Sequence, residues 1–206
     1  MRKLVYFIAS TLDGFIAGPD GADPSGPDGF WPIPEDYIGH LIAEYPETLP
    51  GPARTALSVS AQGTHFDTVV EGRRSYGIGL AAGLSDAYPH LRHIVFSRTL
   101  GESPDTEVEI VAGDPVARVR ELKQEEGKDI WLVGGGELAG ALYTEIDTLI
   151  VKLSPVTIGA GIPLFSDRAT FDPSSWTLTD HTVLDSGALF LTYERATTTV
   201  TLSVTD

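Results

Sequence analysis

The chain has 206 residues, with 14 Lys and Arg against 29 Asp and Glu, a formal net charge of −15 and no cysteine. That length suits one domain with a sizeable core, so residues 1–206 are expected to fold as a single unit. The acidity argues against nucleic acid or an anionic membrane surface as a partner. The missing cysteines exclude disulfides, thiolate metal sites and a cysteine nucleophile, and agree with a cytoplasmic protein. No apolar run reaches the ~18 residues of a membrane span.

Taken in order, Arg2–Ser10 is apolar and rich in strand formers. It is too short for a signal peptide and reads as a central first strand. Thr11-Leu12-Asp13-Gly14 turns the chain, and Phe15–Ala17 is apolar again. Gly18–Gly29 (GPDGADPSGPDG) consists of turn formers, so a mobile surface loop is expected over 19–29, serving either as a lid or only as a connection. Pro34 fits the first position of a helix, with Glu35 and Asp36 suited to its positive end. Tyr37, Ile38, Leu41, Ile42 and Tyr45 follow at helical spacing until Pro46 and Pro50. Arg54–Ser60 reads as a short helix or an extended piece.

His65–Val70 is the second strand and runs into Gly72-Arg73-Arg74-Ser75, where Ser75 suits the cap or first turn of a helix through Leu80. Leu91–Phe96 is the third strand, ending in Ser97-Arg98-Thr99, and Val108–Val111 is the fourth. Asp114 as N-cap and Pro115 at the first position start a helix that runs to about Glu126, and Gly127 stops it. Ile130–Val133 then reads as a buried strand, Gly134-Gly135-Gly136 as a turn, Glu137–Tyr143 as a helix and Thr148–Leu153 as a strand, which is a βαβ unit. Three successive glycines cost backbone entropy and imply positive φ or close backbone approach. A helix start beside them suits a phosphate, though a tight turn holding nothing fits equally well. Glu145 and Asp147 flank a turn as solvated acids, and Ser154–Phe165 is a glycine-bearing connection. Trp176–Val183 and Ala188–Arg195 form an antiparallel hairpin at a sheet edge. Thr197–Asp206 is left as an edge strand, an exchanged arm or a tail. His40, His65, His90, His93 and His181 show no ligand spacing, so no metal site is expected.

Three strand ends therefore agree: Arg73, Arg74 and Ser75 follow one, Ser97, Arg98 and Thr99 another, and the triple glycine a third. Ligands of open parallel sheets bind beyond the carboxyl ends of strands. Guanidinium groups and bare backbone gathered there suit a ligand with several phosphates, and a dinucleotide carrying a 2′-phosphate fits.

The pieces STLDGFIA, VVEGRRSY, IVFSRT, WLVGGGELAGALY and LSPVTIGAGIPLF together resemble the dihydrofolate reductase-like family, in particular the subgroup of the riboflavin-biosynthesis reductase (RibD C-terminal) domain. The resemblance covers Lys3 to about Arg195. It implies a three-layer α/β fold whose sheet is parallel except at the C-terminal strand, with a C-terminal antiparallel hairpin, and an NADP(H)-dependent reductase of a small heterocycle. By the same resemblance Gly72, Arg73, Arg74 and Ser75 meet cofactor phosphates. Ser97, Arg98 and Thr99 hold the 2′-phosphate region. Val133, Gly134, Gly135, Gly136, Glu137, Leu138 and Ala139 hold the pyrophosphate, and Ala9 and Ile16 lie by the nicotinamide. Trp31 and Asp36 match a tryptophan–acid pattern of true dihydrofolate reductases, which implies a wall and a proton-delivering acid. Asp36 is otherwise a first-turn acid that complements a helix dipole. The substrate class implied is 5-amino-6-(5-phosphoribosylamino)uracil. The alternatives are a dihydrofolate or pterin, or a non-catalytic NADP-binding protein. Either substrate wants a cation on its own side, for which Arg54 is the obvious candidate once the cofactor has taken the other arginines. A homodimer follows from the resemblance alone.

Overall fold

The computed structural model describes residues 1–26, 29–166 and 171–196. Residues 27–28 of the glycine–proline loop and the tail 197–206 lie outside them. In chain order the elements are β1 (Leu4–Thr11), β2 (Phe15–Ala17), α1 (Glu35–Glu44), α2 (Gly51–Ala56), β3 (Phe66–Gly72), α3 (Arg73–Ala81), β4 (Arg92–Phe96) and β5 (Val108–Val111). Then follow α4 (Pro115–Gln124), β6 (Asp129–Gly134), α5 (Gly136–Ala141), β7 (Thr148–Ser154), β8 (Ile162–Pro163), β9 (Trp176–Val183) and β10 (Leu189–Arg195). Among the described residues no helix is long and apolar enough to cross a membrane.

Eight strands form one sheet in the order β5-β4-β3-β6-β1-β7-β10-β9. The pairs from β5 to β7 are parallel, whereas β10 is antiparallel to both β7 and β9. The sheet is therefore parallel except at its C-terminal strand, and β1 is central, as its unbroken apolar run implies. Side chains alternate across it. Leu4, Tyr6, Ile130 and Leu132 pack on one face with Val119 and Leu122 of α4 and Leu138 of α5. Val5, Phe7 and Trp131 pack on the other with Tyr37 and Leu41 of α1. The result is helix, sheet, helix: three layers.

Local chemistry sets the helix ends. Asp114 caps α4 by accepting the Val116 N–H at 3.0 Å. Pro34 stands at the N-cap of α1, one place earlier than the sequence suggests. Helix α3 opens at Arg73 with Gly72 as its N-cap, so Ser75 lies inside the first turn and does not cap it. No acid occupies that first turn. Two arginines there oppose the helix dipole at roughly 0.3–1 kcal/mol each, a local conflict that an anion would reverse.

The acids at the end of α5 are not free in solvent as the sequence suggests. Glu145 is buried and accepts from Arg120 at 2.7 Å, while Asp147 pairs with Lys123 at 2.7 Å and accepts the Leu4 N–H. These contacts tie the α5–β7 connection to α4 and to the start of β1. The described part of the glycine–proline loop folds back on itself, with Gly21 N–H to Gly18, Gly26 N–H to Asp23 and Trp31 N–H to Pro24. Farther on, Ile162 and Pro163 of β8 pair with Ala17 and Phe15 of β2, Leu164 N–H reaches Gly14, and Ser166 N–H reaches Gly136.

One histidine overlooked in the sequence is central. The fully buried His93 of β4 lies 2.8 Å from Glu71 through Nε2 and 2.8 Å from Asp86 through Nδ1. A neutral imidazole donates from one nitrogen only, so bonding both carboxylates requires the imidazolium. Burial pulls the His93 pKa down, but the hydrogen bonds and charges of Glu71 and Asp86 outweigh it and the net shift is upward. The folded value then exceeds the unfolded one. The resulting stability is complete below the unfolded value of about 6.5 and is lost as pH rises through the folded value. Urea unfolding followed between pH 6 and 9 is expected to show falling stability across that limb. His93→Gln is expected to flatten the limb and to cost about 3–5 kcal/mol, because it leaves buried carboxylates uncompensated. A wild-type profile without that limb contradicts the assignment.

Candidate functional site

The carboxyl ends of β1, β3, β4 and β6 open onto one cleft of about 1050 Å³. That is the upper end of the usual size for a ligand site. Parallel strands place these ends on one edge, so segments far apart in sequence share a rim. Gly72, Arg73, Arg74 and Ser75 line it from β3 and α3. Ser97, Arg98 and Thr99 line it after β4. Val133, Gly134, Gly135, Gly136, Glu137 and Leu138 line it after β6, and Ala9 and Ile16 lie at its β1 end.

The three glycines have three different reasons. Gly134 has φ +134, where side chains are strained. A Cβ on Gly136 would stand 2.5 Å from the Pro163 carbonyl oxygen. A Cβ on Gly135 would meet nothing within 4 Å, and its φ of −87 suits any residue. Folding therefore does not require the bareness of Gly135, which faces open space. The Gly134–Gly135 peptide bond is cis.

The charges on the rim are unusual for so acidic a chain. Among the described residues, Arg73 and Arg98 are the two arginines with neither an ion pair nor a hydrogen bond, and both are exposed to the cleft. Arg74 only approaches Glu137, at 3.9 Å with both side chains exposed, a contact of ~0–1 kcal/mol. Ser97 is buried, and its Oγ accepts the Thr99 and Leu100 N–H groups, which shapes the turn carrying Arg98.

Several anticipated residues sit elsewhere. Ala139 is fully buried in the α5 core, and its N–H bonds to Gly135 O, so it does not face the cleft. Trp31 is buried beside Phe30 and is not part of the lining. Asp36 also lies outside the lining; its Oδ2 accepts the Ser186 N–H at 2.8 Å. That backbone bond, against desolvation, holds the Asp36 carboxyl below its ordinary value. An acid kept ionised by a hairpin turn is poorly suited to deliver a proton. Arg54 is spent on the carbonyls of Pro46 and Ala61 at 2.6 and 2.8 Å, in a separate shallow hollow. His40 packs its ring on Phe190 at 4.3 Å. No group of three or more metal-ligating His, Asp or Glu occurs among the described residues.

The β1 end of the cleft holds residues that sequence reasoning missed. Phe7, Trp131 and Tyr88 form an aromatic wall there, with Tyr88 and Trp131 ring centroids 4.9 Å apart. Lys152 of β7 also lines it. A lone lysine inside the apolar run TLIVKLS was the available signal.

Comparison with known proteins adds the following. A model of the RibD C-terminal domain matches residues 2–190. The uncharacterized protein YwjB of Bacillus subtilis (strain 168) is 30% identical over 168 residues, covering 81% of this chain and 84% of that one. Among solved structures, a diaminohydroxyphosphoribosylaminopyrimidine deaminase/5-amino-6-(5-phosphoribosylamino)uracil reductase of Thermotoga maritima superposes with a TM-score of 0.62 at 16% identity. That match covers 95% of this chain and 57% of the other, so the present chain spans little more than half of it. Dihydrofolate reductase of Enterococcus faecalis, complexed with NADP(H) and RAB-propyl, superposes with a TM-score of 0.61 at 18% identity, covering 94% and 96%. At these identities the structural likeness is one of fold.

The glycine geometry separates two substitutions. Gly136→Ala is expected to destabilise the fold by about 1–3 kcal/mol through the clash with Pro163. Gly135→Ala is expected to leave the unfolding midpoint nearly unchanged. Thermal melts of the two variants against wild type check the contrast, and equal losses in both would refute the reading of Gly135.

Proposed function

The chain belongs to the RibD C-terminal domain family, and we propose that it is an NADPH-dependent reductase of a small heterocyclic substrate. The observation that carries this reading is the pair Arg73 and Arg98. In a chain of net charge −15, these two guanidiniums are left unpaired on the rim that also bears the open backbone of Gly135. Leaving cations without partners in an acidic protein is explained by an anion that arrives from outside. A phosphorylated dinucleotide fits both the spacing over several strand ends and the size of the cleft.

In this reading Arg73, Arg74, Ser75 and the Gly72 backbone meet phosphates at the first turn of α3. Arg98 and Thr99 hold the 2′-phosphate by charge-assisted bonds. The segment Val133–Leu138 takes the pyrophosphate, with Gly135 letting the backbone come close. Ala9 and Ile16 border the nicotinamide, which when bound supplies the hydride. The aromatic wall of Phe7, Trp131 and Tyr88 then faces a planar ring. An aminouracil of the kind reduced in riboflavin biosynthesis is the first substrate class, in keeping with the family. A dihydropterin is the second, favoured by the same flat wall. By family likeness the protein works as a homodimer in the cytoplasm.

Arg98→Ala is expected to weaken NADPH by roughly 1.5–3 kcal/mol while leaving NADH nearly unaffected. Fluorescence titration of both cofactors measures this, and equal weakening argues against a 2′-phosphate at Arg98. Gly135→Ala is expected to weaken both by tenfold or more. NADPH oxidation against aminouracils, dihydropterins and quinones then separates an enzyme from a binder: turnover supports the reductase, and tight NADPH binding without turnover supports a non-catalytic protein.

A further inference from the structure

All four lysines of the chain are described, and three of them end on oxygen. Lys3 pairs with Glu194 at 2.9 Å, Lys123 with Asp147 at 2.7 Å, and Lys128 Nζ donates to Gly63 O. Lys152 has neither an ion pair nor a hydrogen bond. Its Nζ lies 4.2 Å from the centroid of the Phe7 ring, a cation–π contact that only partly replaces water. The strand register sets Lys152 between Ala9 of β1 and Phe190 of β10, at the end of the cleft walled by Phe7, Trp131 and Tyr88.

Among the described residues, none of the charged or titratable groups on the packed elements pairs with Lys152. Asp36 of α1 bonds to Ser186 N–H. Tyr37 and His40 of α1 pack on Phe190, and Tyr45 packs on Phe7. Asp180 of β9 stands opposite Thr192 in the ladder. The Tyr88 phenol is pushed well above its ordinary range by burial, with the Glu71 and Asp23 charges adding to this, so it stays neutral. Lys152 is half-buried, and partial removal from water without a counter-charge also favours its neutral amine and brings its titration down to about 7. An ammonium with that titration gives up a proton near neutral pH far more readily than an ordinary lysine.

We propose that Lys152 is the proton donor of the reduction and that the substrate presents a polarised C=N or C=O bond to it. This rests on the reductase reading above. As the carbon accepts a hydride from the reduced nicotinamide, the π pair moves to the heteroatom. The N–H bond of Lys152 breaks toward that atom and leaves a neutral amine, which recovers a proton from water. The role falls to Lys152 because Asp36 is turned away and Arg54 lies in another hollow. The substrate class follows: an electroneutral or anionic unsaturated heterocycle, since a cationic one is repelled from the unpaired ammonium.

The test follows Lys152 directly in the full chain. Reductive methylation with ¹³C-formaldehyde labels the lysines, and Lys152→Arg identifies the signal by its loss. The Lys152 signal is expected to titrate about 7 while the others titrate near the ordinary lysine value of about 10.4. Added NADP⁺ is expected to move the Lys152 signal and leave Lys3 and Lys128 in place. With whichever ring compound the wild type reduces, kcat is expected to fall as pH rises through about 7. Lys152→Met is expected to lose about 100-fold or more in kcat and to lose that limb, while NADPH affinity stays within threefold. An ordinary titration, a signal indifferent to bound NADP⁺, or an undiminished Lys152→Met rate each overturns the assignment to Lys152 while leaving the reductase standing. A wild type that fails to bind NADPH overturns the reductase reading and this one with it.

Discussion

Two buried carboxylates share one imidazolium directly beneath the basic rim. Glu71 is the residue before Gly72 and Arg73, and His93 holds it to Asp86 from the neighbouring strand. Leaving Glu71 unpaired would cost several kcal/mol, so β3 and β4 are fixed side by side at the point where each delivers an arginine. The rim is thus built on a buried cluster whose acids are held by His93, and Arg73 and Arg98 above it make no ion pair of their own.

That separation organises the whole charge distribution. Most described cations are consumed structurally: Arg2 by Asp67, Arg118 by Glu109, Glu121 and Glu125, Arg120 by Glu145, and Arg195 by carbonyls and the Trp176 ring. The three that escape, Arg73, Arg98 and Lys152, line one cleft. Two stand in water at the strand ends and suit phosphates. The third stands against an aromatic wall, where its charge is costly. Position along the cleft, more than residue type, therefore divides the two solvated cations from the one held against a ring.

Much of this was legible in the sequence because parallel strands obey a simple rule. Apolar runs marked the strands, and whatever followed them had to meet at one edge; that rule alone brings Arg73, Arg98 and Gly135 together. What stayed hidden depends on register or on remote contacts. Lys152 becomes a cleft residue only because β7 lies beside β1 with Ala9 opposite. Sequence leaves Asp36 open between a proton-delivering acid and a first-turn acid, because its partner, Ser186, is 150 residues away on a hairpin turn. His93, one of five scattered histidines, gains its meaning from acids on two other segments. Of the two places the sequence allows Ser75, cap or first turn, the chain takes the second, because α3 starts at Arg73 and spends that turn on positive charge.

The short run from Ile162 to Ser166 touches both ends of the cleft. It pairs with Ala17 and Phe15 beside the β1 end, reaches Gly14 through Leu164, and reaches Gly136 through Ser166. Five residues thus reach across the opening, with one end on the glycine turn and the other beside Ile16. The span between the two ends is gauged by this strap and not by the sheet alone. On the reading proposed above, a dinucleotide would have to span that distance, and a change of one residue in the strap is expected to alter it without touching a single charge.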